Sequence, residues 1–344
     1  MREGGAWLLV TVAMLTLLLP LAALAAENDG DGFNIQVSPS PLVVSLNPGE
    51  RRTAIITVRN LSSHTETLTP QLNGFTIGAD SEKIDLKSDV PLGLSKWISF
   101  TQKTLTIPAG DSQPLQVVYD TPRNVGFSYA LAITLNQADK KTEASGATLK
   151  GSVAIFNLIN INRSDAKREL KIIDFKSDRG NYEYLPANFT LSVKNNGNVI
   201  DQPSGNIFVQ RSFDDEEPIT IIPVNQANAY ILPDTTRKLS SEWQDGFPYY
   251  ATSTTDGKTA TKLTWNWSDL SSLRIGKYVA KVVLVYNDGQ RDIPLTASTT
   301  FWIIPWKLII VGLVVGALVV SGLVAWTKLV MKGTKKVRGY ARRK

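Results

Sequence analysis

An all-β fold ending in one membrane-crossing helix is what this 344-residue sequence predicts, on three observations. Short β-branched runs recur at about ten-residue spacing, each closed by a Pro, Gly or Asn turn. No helical period of apolar residues interrupts them before residue 306. Residues 308–325 then read LIIVGLVVGALVVSGLVA, with Ser321 the sole polar side chain. At ~1.5 Å per residue that run makes about 27 Å of helix, close to a hydrocarbon core of about 30 Å.

The elements follow in chain order. Arg2, the apolar run Trp7–Leu19 and the small-residue site Ala23-Leu24-Ala25 form a secretory signal peptide over 1–25. Pro20 and the alanines favour its cleavage over its retention as an anchor. A first β-sandwich domain is expected over 33–160. Its strands are Phe33–Val37, Leu42–Leu46, Thr53–Arg59, Leu94–Phe100, Thr104–Ile107, Leu115–Tyr119, Tyr129–Leu135 and Gly151–Asn157. The turn residues Asn47-Pro48-Gly49-Glu50 and Pro108-Ala109-Gly110 punctuate them.

The charged stretch 161–171 (INRSDAKRELK) is the expected boundary. A second sandwich domain is then expected over 165–303. Its strands are Leu170–Phe175, Phe189–Lys194, Asn206–Val209, Ile219–Val224, Arg237–Trp243, Tyr278–Tyr286 and Thr296–Ile303. Both halves place a strand before an asparagine-rich turn, TVRN at 57–60 and SVKN at 192–195. Short strands with such turns make both domains immunoglobulin- or fibronectin-like. Gln244–Ser272 is long for a sandwich connection and holds Tyr249, Tyr250, Trp265 and Trp267. It reads either as a binding loop or, with more weight, as a further strand pair over Thr259–Trp267 whose tryptophans fill the core.

The membrane helix is expected over 305–327. Pro305 would end the last strand and open the helix, since it donates no ladder hydrogen bond and suits a first turn. Trp302, Trp306 and Trp326 fall where an aromatic belt would lie, and Lys328 and Lys332 begin a tail over 328–344 with eight cations and no acid. That asymmetry predicts a single-pass type I protein of the plasma membrane, tail inside. Gly312 and Gly316 have the G-x-x-x-G spacing that lets two helices approach, which would make a homodimer through the membrane.

Composition narrows the function. The formal charge of +6 belongs to the tail: without its eight cations, Arg2 and Glu3, the rest holds 28 cations against 30 acids, about −2. The exported part thus lacks the basic footprint of nucleic-acid binding, while the tail suits anionic lipid. With no cysteine, thiolate catalysis and cysteine metal sites are excluded and burial alone must hold the fold. His64 is the single histidine and builds neither a histidine metal site nor a conventional triad. Asp214-Asp215-Glu216-Glu217 lacks the alternating ligands and glycine of a calcium loop and reads as a solvated turn. Leu232-Pro233-Asp234-Thr235-Thr236 approaches a sortase signal, but Thr236 stands where glycine is required, so it too reads as a turn. No cofactor and no catalytic residue is expected.

Several motifs carry a family resemblance. In the first half they are Pro39 and Pro41, Leu46-Asn47-Pro48-Gly49-Glu50, Val58-Arg59-Asn60, Trp97, Ile107-Pro108-Ala109-Gly110, Pro122, and Gly126 with Tyr129. In the second they are Asn195-Asn196-Gly197-Asn198-Val199, Pro203-Ser204-Gly205, Leu232-Pro233-Asp234 with Arg237 and Trp243, Gly276-Lys277-Tyr278, and Phe301-Trp302-Ile303-Ile304-Pro305-Trp306. Taken together, most of residues 33–344 resembles the WxL-interacting surface proteins of bacteria. That resemblance implies a peptidoglycan-binding β-domain, a second β-domain, a transmembrane helix and a basic tail. The expected function is non-catalytic binding of a cell-wall polymer or a surface protein, with the four aromatics of the long insertion as candidate contacts. A structural or accessory subunit of a membrane complex is the alternative, and a surface hydrolase stands behind both.

Overall fold

The computed structural model describes residues 32–77, 84–138, 151–213, 215, 217–255 and 258–341. The segment 1–25, expected to be a signal peptide, lies outside them. Among the described residues ten strands precede residue 162: β1 (Ile35–Ser38), β2 (Leu42–Leu46), β3 (Arg51–Asn60), β4 (Glu66–Ile77), β5 (Ile84–Lys87), β6 (Ile98–Phe100), β7 (Leu105–Ile107), β8 (Ser112–Asp120), β9 (Ser128–Gln137) and β10 (Ser152–Ile161). They form one sheet in the order β1-β3-β8-β6 and a second in the order β2-β10-β9-β4-β5, with β7 also on β4. Strict alternation decides which face is inside. In β2, Leu42, Val44 and Leu46 are buried while Val43 and Ser45 face out. In β3, Ile56 and Val58 do the same. These residues join Leu115, Val117, Ile133, Leu135 and Ile155 in one apolar cluster.

Two features of this half depart from the sequence expectation. Only Ile98–Phe100 of the segment 94–100 is a strand, because Pro91–Lys96 coils into 3-10 turns, with Gly93 at φ +72°, that bury Leu94. The twelve-residue β4 carries no sequence signal, since Pro70 and Gly74 read as turn residues within it. Its pairing with β9, Leu68 opposite Gln137 through Asn73 opposite Ala132, makes it a strand all the same.

The second half contains β11 (Leu170–Ser177), β12 (Asn181–Tyr182), β13 (Ala187–Asn195), β14 (Ser204–Gln210), β15 (Thr220–Val224), β16 (Thr236–Trp243), β17 (Tyr249–Thr255), β18 (Lys258–Thr264), β19 (Gly276–Asn287) and β20 (Asp292–Ile303). Sheets β11-β13-β16 and β12-β20-β19-β14-β15 enclose a second, separate apolar cluster. Its centre is aromatic: the Trp243 ring lies 5.3 Å from Tyr278 and 6.1 Å from Phe301, and Phe189 lies 5.5 Å from Phe301. Such edge-to-face contacts hold rings without sandwich repulsion. β17 and β18 form their own two-stranded ribbon outside both sheets. Trp265 and Trp267 are therefore exposed, and the expectation that they fill the core is corrected. The core is already occupied by Trp243, and the polar alternation of β17 and β18 gives the ribbon no apolar face to bury.

The connection between the two clusters is strapped, not free. Asn162 N donates to Leu46 O at 2.7 Å, and Arg163 donates to Val125 O at 2.8 Å while stacking over Phe127. From the other side, the turn after β13 meets the first half: Ser128 Oγ donates to Asn198 O at 3.1 Å, and Asn160 exchanges two hydrogen bonds with the Ile200 backbone at 3.2 and 3.4 Å.

β20 passes into the helix α1 (Trp306–Ala341) across two residues. Ile309 N donates to Pro305 O at 3.0 Å, so Pro305 is the cap and the helix begins at Trp306. Trp306–Lys328 has a mean hydropathy of 2.8 and none of it is buried against protein, which makes it long and apolar enough to cross a membrane. Beyond that span the helix continues through the basic stretch to Ala341.

Candidate functional site

The long insertion leaves β16 at Trp243 and returns at Gly276, the first residue of β19. Phe247 on the departing arm is buried, and its N closes the neck by donating to Ser272 O at 2.9 Å. Asp245 reinforces the neck, accepting from Ser272 Oγ at 3.0 Å and from Arg274 at 2.5 Å. On this support Trp265 and Trp267 stack at 5.6 Å with planes 20° apart, and Phe247 lies 5.7 and 5.3 Å from them. Trp265 is 40% and Trp267 70% exposed.

The two tyrosines go elsewhere. Tyr249 sits opposite Thr264 at the root of the ribbon and bridges to Leu185. Tyr250 lies edge-on to Tyr184 at 5.7 Å and donates its hydroxyl to Glu183 at 3.2 Å. Burial, and secondarily the Glu183 charge, raises the Tyr250 phenol above its ordinary value, so it stays protonated as a donor. Glu183 also accepts from Lys307 Nζ at 3.0 Å. The expected four-aromatic cluster is thus two groups, a tryptophan pair on Phe247 and a tyrosine tied to the helix start. Glu183, Lys307 and Phe247 had no signal in the sequence, because Glu183 and Lys307 stand 124 positions apart.

A second surface is the open side of the second sheet pair. Among the described residues β15 pairs only with β14 and β16 only with β13, so each presents an unpaired edge. Between them runs a cleft of about 840 Å³ lined by Ile222, Pro223, Lys238, Ser240, Glu242 and Gln244, among others. Ser241 Oγ reaches Pro223 O across it at 3.3 Å. Away from that bridge, which takes up the Pro223 carbonyl, the unpaired edges with their polar side chains suit an extended guest, which such edges hold by main-chain pairing. The alternation of Arg237–Trp243 marks those polar residues in the sequence, but only the topology leaves β16 at an edge. A smaller cavity of about 180 Å³ lies between the halves, with Phe75 and Phe156 on one side and Tyr230 and Arg237 on the other.

The remaining predicted residues are placed as follows. Trp302, Trp306, Trp326 and Lys328 are exposed on or beside α1, and Lys332 lies further along it. Gly312 and Gly316 are open, with nothing within 4 Å of an added Cβ. Asp214 and Glu216 lie outside the described residues, while Asp215 caps a turn by accepting from Arg211 N and Ser212 N, both at 2.8 Å. His64 Nε2 lies 2.7 Å from Glu66 Oε1. Glu66 is buried and accepts from Gln137 at 2.8 Å as well. Leu232–Thr235 is a turn, with Asp234 at φ +57° and Thr235 N donating to Leu232 O at 3.2 Å. Among the described residues no three His, Cys, Asp or Glu converge as metal ligands would.

No family model matches the chain, and no curated protein matches it. Among solved structures it is similar to the YadV chaperone, at 12% identity over 77% of this chain and 99% of that one, with a TM-score of 0.36. The class 5 fimbriae chaperone CfaA is similar at 11% identity over 76% and 98%, TM-score 0.38. The CupB2 chaperone of Pseudomonas aeruginosa is similar at 9% identity over 78% and 100%, TM-score 0.34. Scores this low leave the functional reading to the chain's own residues.

Proposed function

We propose that this is a non-catalytic cell-surface binding protein: two tandem sandwich domains, exported and held on the membrane by α1, that recognise a cell-wall polymer of the peptidoglycan kind or a surface protein. The cleft between the free edges of β15 and β16 carries the reading, because it offers an extended guest both backbone pairing and polar side chains. The passage of β20 into an exposed apolar helix supports the membrane anchorage. The motifs shared with WxL-interacting proteins support the same assignment. In a membrane of that kind, the open face at Gly312 and Gly316 supports a helix pair.

The test is sedimentation of the detergent-solubilised full chain with purified peptidoglycan, beside affinity capture of protein partners from surface extracts. Ser240→Trp, placed in the cleft at an exposed position, is expected to abolish co-sedimentation or capture without lowering the melting temperature. Retention of full binding by that variant would sink the cleft assignment. For the helix pair, Gly312→Ile with Gly316→Ile is expected to lower cross-linked dimer yield.

A further inference from the structure

We propose that the root of the Gln244–Ile275 insertion is a second membrane contact, in which Trp265, Trp267 and Leu270 seat in the lipid headgroup region beside α1. The inference rests on the reading of α1 as membrane-spanning. Register places the insertion at the membrane end. Gly276, where it returns, is paired with Ile303, three residues before the helix begins. Its departure point Trp243 is paired with Ala187, and Tyr182 just before it accepts a hydrogen bond from Ile304 N at 2.8 Å. Both arms therefore open on the end of the second sheet pair from which the chain enters the helix.

The root is also tied to the helix itself. Tyr250 N donates to Leu185 O at 2.8 Å, and Glu183 joins Tyr250 at 3.2 Å to Lys307 of the first helical turn at 3.0 Å. The insertion cannot swing away without breaking that junction. On this fixed base lie Trp265, Trp267 and Leu270 at 40, 70 and 55% exposure, with Leu273 and Ile275 also exposed. Ile275 adjoins Gly276, which is paired with Ile303, so the insertion's exposed apolar residues share the end of the fold with the exposed Ile304 and Trp306. A rigid apolar patch of this kind marks a contact surface.

Its place at the end of the fold where the chain enters α1 argues for lipid as the occupant. Tryptophan favours the interface because its ring is apolar and its N–H polar. The rest of the ribbon agrees: Thr252, Ser253, Thr254, Thr259 and Thr261 each carry a hydroxyl and no large apolar side chain, so only the root would enter. Such seating would hold the second sheet pair upright on the bilayer by two points in place of one.

The absence of cysteine makes the test direct. Single-cysteine versions of the full chain, Trp267→Cys, Leu270→Cys, Ser253→Cys and Val314→Cys, are labelled with an environment-sensitive fluorophore and reconstituted in phosphatidylcholine–phosphatidylglycerol vesicles. Headgroup-proximal spin-labelled lipid (for 253, 267 and 270), acyl-chain spin-labelled lipid (for 314) and aqueous iodide serve as quenchers. At 267 and 270 the expected result is a blue-shifted emission quenched more by lipid than by iodide, with the reverse at 253. Iodide-dominated quenching at 267 and 270, with lipid quenching at 314, overturns the contact and leaves the spanning helix standing. Protection from both quenchers at 267 and 270 assigns the patch to protein and overturns it too. Loss of lipid quenching at 314 removes the spanning helix and the contact together.

Discussion

Two asparagines do the same work in the two halves. Asn60 closes β3, its Oδ1 accepting from Ser62 N at 2.9 Å and its Nδ2 donating to His64 O at 2.7 Å and Ile107 O at 2.9 Å. Asn195 closes β13 with the same two local offsets and its own long-range partner: Oδ1 accepts from Gly197 N at 2.8 Å, and Nδ2 donates to Val199 O at 2.8 Å and Ile231 O at 2.9 Å. Both are fully buried, so each satisfies turn groups that water cannot reach. Asn195→Leu should leave those groups unpaired and cost about 3 kcal/mol in denaturant unfolding. Asp201 offers a pH test. Burial raises its carboxyl above the ordinary value, outweighing the hydrogen bond from Gln202 N. The native state then holds the proton more tightly than the unfolded chain. Stability falls as pH rises from the unfolded value, about 3.9, through the higher native one. Asp201→Asn should therefore melt higher than the parent at pH 7, with the gap closing in acid.

At the scale of elements, alternation made most strands legible and failed where turn residues were enclosed by pairing. β2 matches the expected Leu42–Leu46 because nothing but period-two burial shapes it. β4 was hidden by Pro70 and Gly74, whose local preference gives way to the ladders with β9 and β5 respectively. β14 shows why a motif glycine is needed. A Cβ on Gly205 would lie 2.2 Å from Val283 O on the adjacent β19, so only glycine lets these strands pair. Gly205→Ala is expected to lower stability by about 1–3 kcal/mol, read by thermal melting. Gly197 answers to the same constraint, with Lys167 O at 2.4 Å from an added Cβ. The insertion is the opposite case. Its aromatics were visible, but residue type alone does not separate a core tryptophan such as Trp243 from an exposed one such as Trp267.

For the whole molecule, the join between the halves rests on few contacts, and the pair between Asn160 and the Ile200 backbone is central. Asn160→Ala is expected to free the strapped connection, so limited trypsinolysis at Lys167 and Arg168 should quicken while the melting of each half changes little. The sequence by itself determined the class of strand, the asparagine turns and an apolar helix closed by a basic tail, because these follow from local period, backbone preference and hydropathy. Tertiary structure alone decided which strands are edges, hence where the cleft between β15 and β16 lies. It also decided that the insertion leaves and returns beside Ile303, at the root of α1. Those are facts of register between residues far apart in the chain, and no local pattern encodes a pairing such as Gly276 with Ile303 or a shared carboxylate such as Glu183 between Tyr250 and Lys307.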